Sequence, residues 1–383
     1  MPPREANLRG WLLLARCPKL PPRDAFELVE RVGSVEPFAA PYRERLLASG
    51  VPPPLAARLA GPRLGRRVDA ELRFASSRGW TLVDVDDERY PAPLRSISVP
   101  PLVVAVRGDV ACLARTSIAV VGSRRPTAYG LIQAERLAGP LAAAGLPIVS
   151  GLARGIDAAA HRAALDHGGP TVAVLGTGLD RVYPAEHDGL LDRIAGSGAV
   201  LSEFPPGTPP KRNHFPRRNR LIAGLALAVV VVEAAERSGS LVTARWAAEE
   251  GRSVLAVPGR AGEPTSAGTL GLLRDGAALA CTPEDVLDEI PPELRPETAC
   301  GDRDARDGHH AQLAARLALI DDLAPAARSV LDRIPLTDDV LVDDLVETVR
   351  APFEEVQAGL FGLELAGLVE SLPGGRFRRV SRP

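Results

Sequence analysis

The stretch SIAVVGSRRPTAYG, residues 117–130, decides the fold. Its first half is a β-branched apolar run with no polar alternation, which suits a strand buried on both faces. Its second half breaks at glycine and opens a helix. The same texture recurs outward along the chain, in LPIV (146–149), TVAVL (171–175), AVLSEF (199–204), LALAVVVV (225–232) and SVLAV (253–257), with helix-length amphipathic segments between. Strands buried on both faces and linked by right-handed helical crossovers predict an α/β domain with a Rossmann-like, doubly wound parallel sheet. Runs at 81–85 and 102–106 add strands or a lead-in subdomain ahead of it.

On either side the texture changes. Residues 8–67 carry helical spacing interrupted by Pro21-Pro22 and Pro52-Pro53-Pro54, which predicts a small all-α N-terminal domain over 1–72. The Rossmann-like domain occupies 73–290. Residues 291–322 are rich in Pro, Asp and Arg without apolar periodicity and read as a linker, in which His309 and His310 are solvated. Over 323–383, three helical segments precede LVESLPGGRFRRV, two short strands around Pro373, Gly374 and Gly375, and together these predict a winged helix.

At 383 residues with 45% hydrophobic and 25% charged content, the chain is an ordinary multidomain globular protein. It shows neither a signal peptide nor an apolar run of membrane-spanning length, so a cytoplasmic protein is expected. Cys17, Cys112, Cys281 and Cys300 are widely spaced and suggest neither a disulfide framework nor a zinc knuckle. A formal net charge of −2 means that any polyanion must be held by local patches. Residues 1–67 hold twelve cations against six acids, and residues 321–365 hold eleven acids against three cations.

Ligands of open parallel sheets bind beyond the carboxyl ends of the strands. There the sequence places Gly122-Ser123-Arg124, Ser150-Gly151 with Arg154, Gly155 and Asp157, Gly176-Thr177-Gly178, and Ser238-Gly239-Ser240. Glycine and small hydroxyl residues at such turns let backbone N–H groups approach an anion; alternatively each glycine closes a tight turn. Neither a dinucleotide fingerprint nor a P-loop is present, so no cofactor is expected and a phosphodiester backbone is the better ligand. In KRNHFPRRNRLIAG (211–224), Lys211, Arg212, Arg217, Arg218 and Arg220, with Asn219 among them, are unrelieved by any acid from 204 to 232. Cations at the start of a helix oppose its dipole, which polyanion binding offsets; the alternatives are a solvated face or an ion pair with Glu203. His214 and Phe215 offer rings for stacking, or Phe215 is core. Asp157 and His161 share a helical face without a nucleophile, so Asp157 is assigned to orienting the glycine loop and His161 to a fixed tautomer.

The strings VGSRRPTAYG, SGLARGIDAAAH, VLGTGLDRVYP, FPRRNRLIAGL, RSGSLVTARWA and GRSVLAVPG, in this order, resemble the DNA-processing protein A (DprA/Smf) family. The resemblance covers about residues 80–290, and the flanking regions fit the family's fuller architecture. It implies a non-catalytic single-stranded DNA-binding protein of natural transformation and recombination that forms a homodimer, protects incoming strands and helps load the RecA recombinase. It also implies that Arg124 contacts DNA, with the FPRRNR segment in the same basic pocket. Two positions depart from the pattern: Ala185 where a lysine can stand, and Leu270 where asparagine is usual. The competing reading is a nucleotide-binding or nucleotide-hydrolysing enzyme of a related Rossmann variant, against which the turn Pro258-Gly259-Arg260-Ala261-Gly262-Glu263 breaks that group's P-G-G-x-G-T loop.

Overall fold

The computed structural model describes residues 3–295, 325–334, 339–349, 351–365, 368–372 and 374–379. Chain contacts divide it into two compact units, Met1–Ala299 and Cys300–Pro383. Most of the expected linker, from residue 296 onward, lies outside the described residues, as do His309, His310, Cys300 and Pro373.

The first unit opens with six helices, α1 (Pro3–Arg16), α2 (Pro22–Val32), α3 (Glu36–Ala39), α4 (Arg43–Ala48), α5 (Pro53–Leu59) and α6 (Pro62–Ser77). Prolines sit in the first turns of α2, α3, α5 and α6, where the missing N–H has no intrahelical partner to lose. The helices do not close a core of their own. Trp11, Leu12, Leu28, Phe38 and Leu59 belong to one continuous buried cluster with Val103, Leu201 and Val229 of the sheet. A boundary at residue 72 therefore separates no two cores: the α-rich segment covers part of a sheet face that would otherwise meet water.

The sheet has nine strands in the order β1-β2-β6-β5-β4-β3-β7-β8-β9. They are β1 (Thr81–Asp84), β2 (Val103–Gly108), β3 (Ile118–Val121), β4 (Ile148–Ser150), β5 (Thr171–Val174), β6 (Ala199–Ser202), β7 (Ala228–Val231), β8 (Ser253–Ala256) and β9 (Ala278–Leu279). From β6 to β9 all pairings are parallel, as the apolar runs predict, whereas β1–β2 and β2–β6 are antiparallel. Alternation across the pleat explains why these runs are apolar throughout. Ala119, Val121, Val229 and Val231 face the cluster shared with the N-terminal helices, and Ile118, Val120, Val230 and Val232 face the other.

Between the strands run α7 (Ala92–Arg95), α8 (Ala128–Ala143), α9 (Ile156–Asp166), α10 (Asp188–Ser197), α11 (His214–Leu225), α12 (Ser240–Glu249), α13 (Ala267–Arg274) and α14 (Pro283–Asp288). Helices α8 and α9 supply buried residues to one face, and α11 and α12 to the opposite face, which makes the sheet doubly wound. Strand order reverses between β3 and β7, so the crevice such sheets offer to ligands lies where the loops after β3 and β7 diverge. Helix α11 carries the chain from β6 back to β7 and packs against β3, β4 and β5, which brings the basic run to that crevice.

The second unit contains the helices Pro325–Leu331, Val342–Val349 and Phe353–Leu365 and a three-stranded antiparallel sheet of β10 (Val340–Leu341), β12 (Arg376–Arg379) and β11 (Val369–Leu372). Its core is Val330, Ile334, Leu345, Val356, Leu360, Leu363 and Val369, so three helices and a β-wing close on one another as expected.

Candidate nucleic-acid interface

The residues named from the sequence separate into a buried scaffold and an exposed rim. Arg218 is the centre of the scaffold, with 3% of its surface exposed. Its Nη1 donates to the Gly151 carbonyl at 2.6 Å and to the Val174 carbonyl, at the ends of β4 and β5. Two strand termini are thus tied to α11 by one guanidinium. Gly151 is glycine because a Cβ there would lie 2.5 Å from that guanidinium.

Asp157 completes this scaffold. Its carboxylate accepts from the amides of Gly151 at 3.1 Å and Ala153 at 3.4 Å, holding the loop in which Leu152 takes φ +55° and Gly155 φ +78°. Burial pushes the Asp157 carboxyl up from its ordinary range; Arg218 and the two amides oppose that. Burial likewise lowers the Arg218 guanidinium to about 10, with Asp157 pulling the other way. A Cβ on Gly155 would fall onto the Ser123 carbonyl, so the loops after β3 and β4 lie back to back. Glu233, at the end of β7, accepts from the Thr127 amide at 2.8 Å and its hydroxyl at 2.7 Å, closing the switch point from the third side.

Several other expected ligand contacts are also part of this scaffold. Ser150 Oγ donates to the Val120 carbonyl at 2.6 Å, and Thr177 Oγ1 to the Arg181 carbonyl at 2.6 Å. The Gly178 amide donates to Thr208 O at 3.1 Å, and Gly176 is packed beneath Phe215. Gly122 sits against Ile156, leaving no space for a side chain. These glycine turns are tight because elements press on them, and the amides of Gly151, Ala153 and Gly178 are already engaged by protein acceptors. Arg220 is buried, donating to the Val99 carbonyl at 2.7 Å and pairing with Glu203, and Arg217 shares that carboxylate at 3.0 Å. The ion-pair alternative holds for these two arginines. Helical geometry explains the split within RRNR, since neighbours on α11 point to different sides.

What remains exposed is a rim of cations braced on aromatic rings. Arg124 lies with its guanidinium 5.3 Å above the Phe215 ring centroid, and Arg218 approaches the same ring at 6.0 Å. Tyr183, 41% exposed, stands 5.7 Å from Phe215, centroid to centroid. His214 stacks on Phe204 at 4.5 Å, and Arg217 covers the same Phe204 ring at 5.3 Å. Lys211 and Arg212 are exposed just before α11, and among the described residues their side chains and that of Arg124 make no ion pair. Arg154 is exposed but bound to Glu186 at 2.5 Å. On the far side Asn219 Nδ2 donates to the Gly239 carbonyl at 3.2 Å and the Ser238 and Ser240 hydroxyls are 2.7 Å apart, which joins the starts of α11 and α12.

Sequence reasoning passed over Tyr183 and Glu186. Tyr183 stands five residues after Gly178, an aromatic in the loop at the strand-end rim, and that placement is the available signal. Asp157 and His161, which share a helical face, are not hydrogen-bonded to each other. His161 Nδ1 meets Thr171 Oγ1 at 2.7 Å instead, with burial lowering the ring to about 3. Among the described residues no His/Cys/Asp/Glu group could hold a metal, and no helix is long and apolar enough to cross a membrane.

The family model for DNA recombination-mediator protein A matches residues 81–291, and that for the DprA winged helix domain matches residues 313–375. Protein Smf of Escherichia coli is 38% identical, covering 82% of this chain and 82% of its own length. A putative DNA processing protein DprA of Mycobacterium tuberculosis is 37% identical, covering 97% and 94%. The X-ray structure of DNA processing protein A from Streptococcus pneumoniae superposes with a TM-score of 0.64 at 36% identity, covering 74% of this chain and 98% of that one. The corresponding protein of Helicobacter pylori, described for its single-stranded DNA binding mode, gives 0.50 at 30% identity, covering 55% and 94%. A core, a winged helix and a near full-length likeness agree, and the chain belongs to the DNA recombination-mediator protein A (DprA/Smf) family.

Proposed function

We propose that this chain binds single-stranded DNA along the rim formed by Arg124, Lys211, Arg212 and Arg217, with Phe215 and Tyr183 beneath or beside the strand. The observation that carries this reading is Arg124 at the switch point, exposed, without an ion pair among the described residues, and held over an aromatic ring. A strand offers both chemistries such a rim receives: phosphates for the guanidinium and ammonium groups, and base faces for the rings. The buried members Ser150, Gly151, Asp157, Gly176, Thr177, Gly178 and Arg218 act by fixing the rim, and Gly122, Ser123, Gly155, Ser238, Gly239 and Ser240 shape its turns. The related H. pylori structure, described for single-stranded DNA binding, supports the same ligand.

The reading is of a binding protein and not an enzyme. Ser150 Oγ, the Asp157 carboxylate and His161 Nδ1, groups that would have to cooperate in hydrolysis, are each bound to separate backbone or threonine partners and not to one another, and His161 Nε2 is buried without a hydrogen-bond partner. By membership of the family, the strand is one taken up or processed in natural transformation and recombination within the cytoplasm, the working form is a homodimer, and the bound strand is protected and passed to the RecA recombinase. Thermal-shift measurements with mononucleotides, set against titration with single-stranded oligonucleotides, test the reading. Stabilisation by the oligonucleotide alone is expected; stabilisation by a mononucleotide with no oligonucleotide binding would return the protein to the nucleotide-enzyme class.

A further inference from the structure

Beyond the rim, a cleft of about 480 Å³ opens between the N-terminal helices and the sheet domain. Its walls include Arg16, Lys19, Leu20, Pro21, Glu203 and Arg217. Arg217 is the hinge between the two regions: it belongs to the basic run of α11, lies on Phe204 next to His214, and lines the cleft with a half-exposed side chain. From Arg124 the path runs over Phe215 to its chain neighbour His214, then across Phe204, just after β6, to Arg217 and into the cleft.

The electrostatics of the cleft are not balanced. Arg16 pairs with Glu71 at 2.7 Å and donates to the Glu203 carbonyl at 3.2 Å, and Arg217 and Arg220 share the Glu203 carboxylate. Three cations of the cleft wall, Arg16, Lys19 and Arg217, thus face one acid of that wall, Glu203, whose carboxylate Arg220 also engages. Lys19 is the one whose side chain has no ion pair or hydrogen bond among the described residues, and it is exposed. Its backbone is also unusual: φ is +58°, left-handed, at the turn between α1 and α2 where glycine would be the relaxed choice. Of the chain's 46 cations only two, Lys19 and Lys211, are lysine, and they sit at the cleft and at the rim. Leu20 and Pro21 give the cleft an apolar wall beside these charges, and the N-terminus of α2 begins there at Pro22 without a side-chain cap.

We propose that the cleft is an extension of the strand-binding track, in which Lys19 takes a backbone phosphate of single-stranded DNA that has passed Arg217, with the flanking nucleotide against Leu20 and Pro21. The proposal rests on the rim being a single-strand site. It assigns the N-terminal helices a share of the strand, reached only by oligonucleotides long enough to run past α11. Cation and apolar wall together are what one nucleotide unit presents surfaces for.

The test is anisotropy titration of the full chain with oligothymidylates of about 5 and about 16 nucleotides, near the two ends of ordinary single-strand site sizes. Lys19→Gly removes the ammonium at a position where glycine relieves the backbone, so it keeps the fold, and Lys19→Glu reverses the charge. For the long strand, Lys19→Gly is expected to weaken binding roughly fivefold and to lower the salt slope by about one, with Lys19→Glu weaker still. For the short strand, both variants should match the wild type. Equal behaviour of variants and wild type on the long strand would overturn the extension, as would an equal loss on both lengths. Binding of deoxythymidine monophosphate that is lost in Lys19→Gly, with strand affinity unchanged, would overturn it in favour of a free-nucleotide site. Failure of the wild type to bind either oligonucleotide would sink the rim reading itself, which none of the preceding outcomes does.

Discussion

Arg212 and Arg218, six residues apart in one basic run, have opposite jobs. Arg212 is free to meet a ligand, whereas the Arg218 guanidinium is fastened to the carbonyls of Gly151 and Val174 and faces Asp157. Removing it leaves the Gly151 and Val174 carbonyls without this donor and the buried Asp157 carboxylate with two backbone amides and no facing guanidinium. Arg218→Ala is therefore expected to cost about 3–5 kcal/mol of stability, read from urea unfolding. An exposed rim cation such as Arg212→Ala should stay within about 0.5 kcal/mol of wild type in the same assay. If Arg218→Ala unfolded at the wild-type midpoint, the scaffold role would be wrong. None of this was legible from composition, because KRNHFPRRNR shows charge but not which guanidinium the helix turns inward. The glycines were legible as special, but not their reason: Gly151 is small to admit Arg218, not a phosphate.

At the scale of elements, the six apolar runs all became β3–β8, because strands buried on both faces announce themselves by unbroken hydrophobicity. Strand β9 was not read, as Ala278–Leu279 is two residues long in an alanine-rich stretch without β-branching. The loop between β4 and α9 sets the rim geometry through its back-to-back fit with the loop after β3. Gly155→Ala, at φ +78° with the Ser123 carbonyl in the way, is expected to destabilise the protein and to reduce oligonucleotide affinity together, since both loops must move. Loss of stability with affinity unchanged in the folded fraction would show that the loops do not shape the site.

Helix α9 also carries an acid-sensitive group. His161 is buried against Thr171, and burial, reinforced by His187 and Arg218, lowers its ring to about 3. The folded state holds the ring neutral, so its contribution is complete above the ordinary histidine value of 6.5 and is lost as pH falls from there toward about 3. Between pH 7 and pH 4.5 that amounts to ~2–3 kcal/mol, which His161→Gln should abolish. Denaturant midpoints measured across that range check it; an identical pH slope in the variant would mean that the ring takes up its proton without unfolding.

For the whole molecule, the winged helix was visible in the sequence, and so was its acidity. The structure adds that its wing arginines are internally committed: Arg376 to Asp339 at 3.0 Å, Arg378 to Glu370, and Arg379 to the Leu331 carbonyl. Its helix Phe353–Leu365 exposes Phe353 and Phe361 beside Glu354, Glu355 and Glu364. A phosphate-lined ligand requires the opposite sign of charge. Deleting residues 323–383 is thus expected to leave single-strand affinity within a few-fold, and a loss on the order of a hundredfold, about 2.7 kcal/mol, would place the winged helix in the DNA site. The N-terminal helices were harder to read: their apolar faces predicted burial but not that the partner surface is the sheet itself, since a 3.6-residue period says nothing about what lies opposite.

On the proposed function, an exposed rim of cations with Arg124 at its centre holds the backbone of a single strand. Equilibrium titration of a single-stranded oligonucleotide across a series of salt concentrations, with the wild type and Arg124→Ala side by side, tests it most directly. Wild-type affinity is expected to fall steeply with salt, and the folded variant to form a roughly fivefold to tenfold weaker complex, about 1–1.4 kcal/mol, whose salt slope is shallower by about one. Affinity that hardly changes with salt, or an Arg124→Ala protein that binds as tightly and with the same slope as wild type, would contradict it.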